Sequence, residues 1–161
     1  MPQVKEKQPV SSVGEEKKSP SVELATELYK NITMGSDTLL QLLSKVKDNQ
    51  LKTYMSAVLC YYEKATAKVK EFLEEHRAHA KEEPLMSRMA AKMGIAMNTA
   101  MDASSSHIAQ MLIEGSTMAI TEATRLRHRF DGQSGCAEML EVAEKLIEFE
   151  QTNIEKLKAF L

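Results

Sequence analysis

Between Pro20 and Pro84 the chain contains a single residue that breaks helices, Gly35. A sheet protein needs turn residues about every ten positions, so this stretch excludes all-β and α/β folds. The whole chain of 161 residues has only 6 Gly and 4 Pro. Three of those prolines, Pro2, Pro9 and Pro20, sit at its start. What remains is an all-α protein, with a 43% apolar content that is ample for one core.

Residues 1–19 mix Lys, Glu, Gln, Pro and Ser with three valines. They bury too little apolar surface to offset ordering entropy, and read as a disordered tail. The bundle domain is then 20–161. Ser19 followed by Pro20 suits an N-cap and first helical position, with Glu23 in the first turn. Apolar residues at i, i+3/i+4 spacing predict helices over 21–46 and 50–81. A fourth runs from about Ser134 to the C-terminus, after a turn of Asp131, Gly132, Gln133, Ser134 and Gly135. Short loops between long helices predict an antiparallel, up-down-up-down four-helix bundle.

The third segment, 85–129, is too long for such a bundle. As one helix it would reach about 65 Å against about 40 Å for its neighbours. It is therefore extended or broken, with Gly94 and the stretch Asp102 to Ser106 as candidate breaks. A short leading helix followed by the bundle helix is the preferred arrangement.

Charge and cysteines narrow the function classes. Lys and Arg number 21 against 23 acidic residues, a net charge of -2, which supplies no field for nucleic acid or anionic lipid. The local run from Arg125 to Arg129 falls at a predicted helix C-terminus, where cations complement the helix dipole. Cys60 and Cys136 sit in no metal-knuckle or disulfide-framework spacing. With no apolar run of the ~20 residues that span a bilayer and no h-region, the expected location is the cytoplasm. No nucleophile-base pair, phosphate loop or nucleotide fingerprint appears, so an enzyme is the less favoured reading.

Polar residues inside apolar arcs are where chemistry can sit. At 100° per residue, Glu122 and Glu150 fall in the middle of the arcs of helices 3 and 4, with Glu114 and His107 at the arc edge of helix 3. Glu122 and Glu150 are about 12 Å apart along the axis. Glu150 is therefore expected at the level of Glu114, near Asn31 and either Tyr62 or Thr66. Such a layer can hold an iron, manganese, zinc or copper ion, share a proton, or set helix register. Glu114, Glu150, Glu122 and His107 are the candidate metal ligands. A second grouping would put His76 and His107 at one level beside Glu23 or Glu27.

The four-helix pattern, the stretch from Ser105 to Met118 (SSHIAQMLIEGSTM) and the closing Glu150 to Leu157 (EQTNIEKL) resemble small bacterial proteins of ferritin-like, four-helix type. Ferritin-like enzymes carry Glu-x-x-His on two helices. The comparable positions here read Glu63-x-x-Thr66 and Glu150-x-x-Asn153. The resemblance thus implies the fold without the di-iron centre, and a binding or self-associating structural module. The alternative is a noncanonical metal-binding or redox bundle that uses the inward carboxylates.

Three further features complete the reading. The 11 methionines concentrate in the third segment (Met86, Met89, Met93, Met97, Met101, Met111 and Met118). They suit a core stripe first, and a Cu(I) site or adaptable partner surface second. Gly35 and Gly115 interrupt apolar faces, which calls for close helix approach or room for Tyr54 or Tyr62. Ile95, Ile113 and Ile120 fall on the outer face of helix 3, which suggests burial against another subunit in a homo-oligomer or against the leading helix segment.

Overall fold

The computed structural model describes residues 17–79 and 102–161. Among them are four α-helices and no strand: α1 (Pro20–Leu43), α2 (Asn49–Glu75), α3 (Ser105–Phe130) and α4 (Ala137–Leu157), the last closed by a 3-10 turn over Lys158–Phe160. The tail, apart from its last three residues, and the leading part of the third segment lie outside the described residues. So do Met86, Met89, Met93, Met97, Met101 and Ile95.

Local chemistry sets most of the helix ends. The Ser19 hydroxyl accepts from the Val22 N–H at 3.4 Å, with Pro20 at the first helical position. Asp48 caps α2 by accepting from the Leu51 N–H at 2.7 Å. Of the two candidate breaks in the third segment, the Asp102 to Ser106 stretch contains the start of α3. There Ser104 accepts from the His107 N–H at 3.2 Å, and Asp102 accepts from the Ser104 N–H at 2.8 Å.

Three ends differ from the expected ones, the first being that of α1, which stops at Leu43 rather than 46. Helix α2 stops at Glu75 rather than 81, because Arg77 turns left-handed (φ 54). The Ala78 N–H then reaches the Leu73 carbonyl at 2.8 Å and the Arg77 N–H the Glu74 carbonyl at 3.0 Å, a Schellman closure. Helix α4 begins after Cys136, which makes no side-chain cap, rather than at Ser134. Gly132 and Gly135, at φ 69 and 78, turn the chain between α3 and α4.

The core is built from Leu24, Leu28, Ile32 and Leu42 of α1, Leu51, Met55 and Leu73 of α2, Ile108 and Phe130 of α3, and Met139, Leu146 and Leu157 of α4, each 2% exposed or less. Backbone approach is close between α1 and α2, α1 and α3, and α3 and α4. Helices α2 and α4 stand further apart, and rings fill the gap. Tyr61 stacks on Phe149 with centroids 3.6 Å apart, and Tyr54 on Phe160 at 6.3 Å.

The cross-helix contacts give the chain order. Glu23 pairs with Arg129 and Asn31 with Ala119, so α1 and α3 run oppositely. Tyr54 meets Asn153 and Tyr62 meets Glu150, so α2 and α4 run oppositely as well. With α1 and α2 joined by a short turn, α2 and α3 point the same way, and the expected up-down-up-down order is corrected to up-down-down-up. The physical reason lies in the connection. Residues 80–101 join opposite ends of the bundle, whereas a short loop would have made α2 and α3 antiparallel neighbours.

Candidate functional site

The residues that face inward on α4 recur at Met139, Ala143, Leu146, Ile147, Glu150, Asn153 and Leu157. One side of the helix therefore carries two polar residues, one turn apart, into the bundle interior. Glu150 is completely buried, at 0% exposure, and Asn153 nearly so at 4%.

Hydrogen bonds from three helices converge on this pair. The Tyr62 hydroxyl donates to Glu150 Oε1, and Asn153 Nδ2 donates to Glu150 Oε2 at 3.3 Å. Asn153 Nδ2 also donates to Ser116 Oγ at 3.0 Å, which places the Ser116 hydroxyl beside the carboxylate. The Tyr54 hydroxyl donates to Asn153 Oδ1 at 2.5 Å, which sets the amide with its nitrogen toward Glu150. Tyr62 reaches this point because α1 carries Gly35 opposite it. A Cβ there would stand 3.2 Å from the ring, so the glycine makes room for Tyr62 as the sequence suggested.

Burial and hydrogen bonding act on Glu150 in opposite senses. Burial pushes its pKa up, and the bonds from Tyr62, Ser116 and Asn153 pull it back, with burial the larger effect. Tyr62 is raised far above the usual phenol range by burial and by the Glu150 charge. Tyr54 and Tyr61 are each pushed up to about 12 by burial first and the Glu150 charge second. No lysine or arginine among the described residues forms an ion pair with Glu150.

This network lies at the inner wall of a cleft of about 680 Å³ that opens between α1 and α3. Met55, Val58, Leu146 and Leu157 provide apolar walls from α2 and α4. At the rim, Met34 is 48% and Met118 is 69% exposed. Gly115 also lines the cleft, and a Cβ on it would meet nothing within 4 Å. Close helix approach does not account for this second glycine.

The four expected metal ligands are distributed differently. Glu150 is inward, but Glu122 is half-buried at the cleft rim and pairs with Arg125 at 2.7 Å. The buried stripe of α3 passes through Ser116, Ala123 and Leu126. Glu122 precedes Ala123 by about 100° of rotation, which moves it off the core. Glu114 lines the same cleft but is exposed and accepts from Gln110 at 3.2 Å. Ser116 takes the place expected for it beside Glu150. Half-buried His107 does not line the cleft, and its Nε2 is buried without a hydrogen-bond partner. Among the described residues, no group of three or more His, Cys, Asp or Glu is placed to hold a metal ion.

The second grouping is not assembled. His76 caps α2, with Nδ1 2.7 Å from the Phe72 carbonyl and its ring stacked on Phe72. Opposite ends of the bundle separate it from His107, a consequence of the parallel sense of α2 and α3. Glu23 pairs with Arg129 at 2.5 Å and Glu27 with Lys30 at 2.9 Å. Asn31 lies in the cleft lining but donates to the Ala119 carbonyl at 3.4 Å, and Thr66 is outside the lining.

Other expectations also move. Arg125, Arg127 and Arg129 each pair with a glutamate, so the basic run is neutralised locally. Ile113 and Ile120 pack against the core rather than lying bare on an outer face. Met118 is exposed and Met111 half-buried, so α3's described methionines border the cleft instead of forming a core stripe. No described helix is long and apolar enough to cross a membrane. No family model matches the chain, and neither a curated protein nor a solved structure matches it.

Proposed function

We propose that this chain is a non-enzymatic binding module of ferritin-like architecture, and that its working part is the cleft between α1 and α3. The up-down-down-up order with one lengthwise connection is the arrangement of ferritin-like bundles. Asn153 stands where the second histidine of a di-iron motif would be, and its amide is committed to Tyr54, Ser116 and Glu150. Glu63, the other motif glutamate, is exposed. The reading therefore keeps the fold and sets aside di-iron chemistry.

The observation that carries the reading is the cleft itself. Its volume of about 680 Å³ falls within the range of about 300–1,000 Å³ typical of small-molecule sites. Apolar walls with a few fixed polar groups at the inner end are the usual composition of such sites.

A neutral apolar dye tests this. Nile red should bind the wild-type protein saturably, with a rise in fluorescence. Gly115→Trp should abolish the rise while leaving the melting temperature nearly unchanged, because a Cβ at Gly115 meets nothing within 4 Å and the position lines the cleft. Equal fluorescence in both proteins would place the dye elsewhere and remove the proposal's support.

A further inference from the structure

We propose that the cleft takes the single aliphatic chain of an amphiphile without net charge, the chain lying along α1 and α3 toward Leu39 and Met111 and the head resting at the end framed by Glu27, Lys30, Glu122 and Arg125. This rests on the cleft being a binding site and adds the chemical class of its occupant.

The shape of the cleft comes first. Its lining runs from Glu27 to Leu39 on α1 and from Met111 to Arg125 on α3, helices of opposite sense that meet where Asn31 donates to the Ala119 carbonyl. Counted from that contact, Leu39 and Met111 stand at one level, and the four charged residues lie at the other end, about 20 Å away by helical rise. The two helices approach closely in backbone, so the slot is narrow as well as long. One lipid tail spans half of a hydrocarbon core of about 30 Å, that is about 15 Å. A slot of this length accommodates one such tail.

The walls suit a flexible apolar chain. Ile32, Met55, Val58 and Leu146 are buried at the lining, and Met34 and Met118 are exposed along its rim. Thioether side chains adapt to a partner of irregular outline.

Charge then selects the head. The inner wall offers a ligand no charge: Glu150 is 0% exposed, with its oxygens taken by Tyr62 and Asn153. At the charged end, both cations are already matched, Lys30 with Glu27 at 2.9 Å and Arg125 with Glu122 at 2.7 Å. Glu114, higher on α3, is exposed and accepts from Gln110. A head with a net charge gives up part of its hydration at this end and meets no free counter-charge. A neutral head loses less.

Calorimetric titration of the full chain at neutral pH with 1-hexanol, 1-octanol, 1-decanol, octylamine and octanoate decides the matter. Affinity for the alcohols should rise about four-fold per added methylene, the effect of burying each one. Octylamine and octanoate should each bind about ten-fold more weakly than 1-octanol. Arg125 is largely exposed, so Arg125→Gln should leave the fold intact while freeing Glu122. Octylamine should then gain about three-fold on 1-octanol, the scale of one surface charge pair. Alcohol affinities that do not grow with chain length overturn the proposal, as does either charged probe binding wild type as tightly as 1-octanol. An unchanged ratio in Arg125→Gln overturns the placement of the head. Failure of all five probes overturns the proposal too; saturable Nile red binding would then leave the cleft a binding site, and its absence would remove both readings.

Discussion

Glu150 is the residue on which most of the account depends, and its burial has a consequence for stability. Its pKa in the folded chain is raised above the ordinary carboxyl value of 4.5 by burial. Below that value the group is protonated both folded and unfolded, and burial imposes no ionisation penalty. As pH rises through the raised folded value the unfolded chain ionises more readily, and stability from this residue is lost. Wild type should therefore lose stability relative to Glu150→Gln as pH climbs from the ordinary carboxyl range toward 8. Thermal melts of both proteins across pH measure it, and a difference that stays constant with pH would contradict the assignment. The residue itself was legible in the sequence as a charge in the middle of an apolar arc. Its partners were less so. Tyr62 was expected nearby, but Ser116 and Tyr54 have ordinary places in helices and give no sign alone. Glu122 was misplaced because one residue of helical phase separates a core position from a rim position.

Three of the four helix starts carry a local signal that the sequence shows; α4, which begins after Cys136 rather than at Ser134, does not. Ser19, Asp48 and Ser104 are all cap-forming types, and each caps a helix. The stop of α2 was invisible because its left-handed residue is Arg77, where glycine is the usual choice. Glycines within helices are equally readable as anomalies, but their causes separate only in three dimensions. At Gly35 a methyl would press on Tyr62, whose hydroxyl is held by Glu150 and cannot easily yield. Overpacking of about 1–3 kcal/mol then outweighs a helix-propensity gain of about 1 kcal/mol. Gly35→Ala should be destabilising. At Gly115 a methyl enters open space, so Gly115→Ala should stabilise by about 0.5–1 kcal/mol. Chemical denaturation of both variants checks the pair, and the same sign for both would show that Tyr62 does not determine the cost at Gly35.

At the scale of the molecule, the all-α class and the number of described bundle helices followed from helix-breaker spacing and apolar periodicity. The chain order did not, because periodicity says which face is buried and nothing about which neighbour buries it. That single missing fact displaced His76 from His107. It also hid the cleft, which forms between α1 and α3, helices that are not consecutive in the chain. The cleft is where Glu150, Tyr62 and the exposed Met34 and Met118 come together. Methionine methyl groups report on it directly, since Met34, Met55, Met111 and Met118 line it and Met139 lies in the core outside it. Methyl-labelled protein titrated with 1-octanol should show shifts at the first four methyl resonances and none at Met139. Unmoved cleft resonances, or shifts as large at Met139 as at the cleft, would contradict the claim that this space is the protein's binding site.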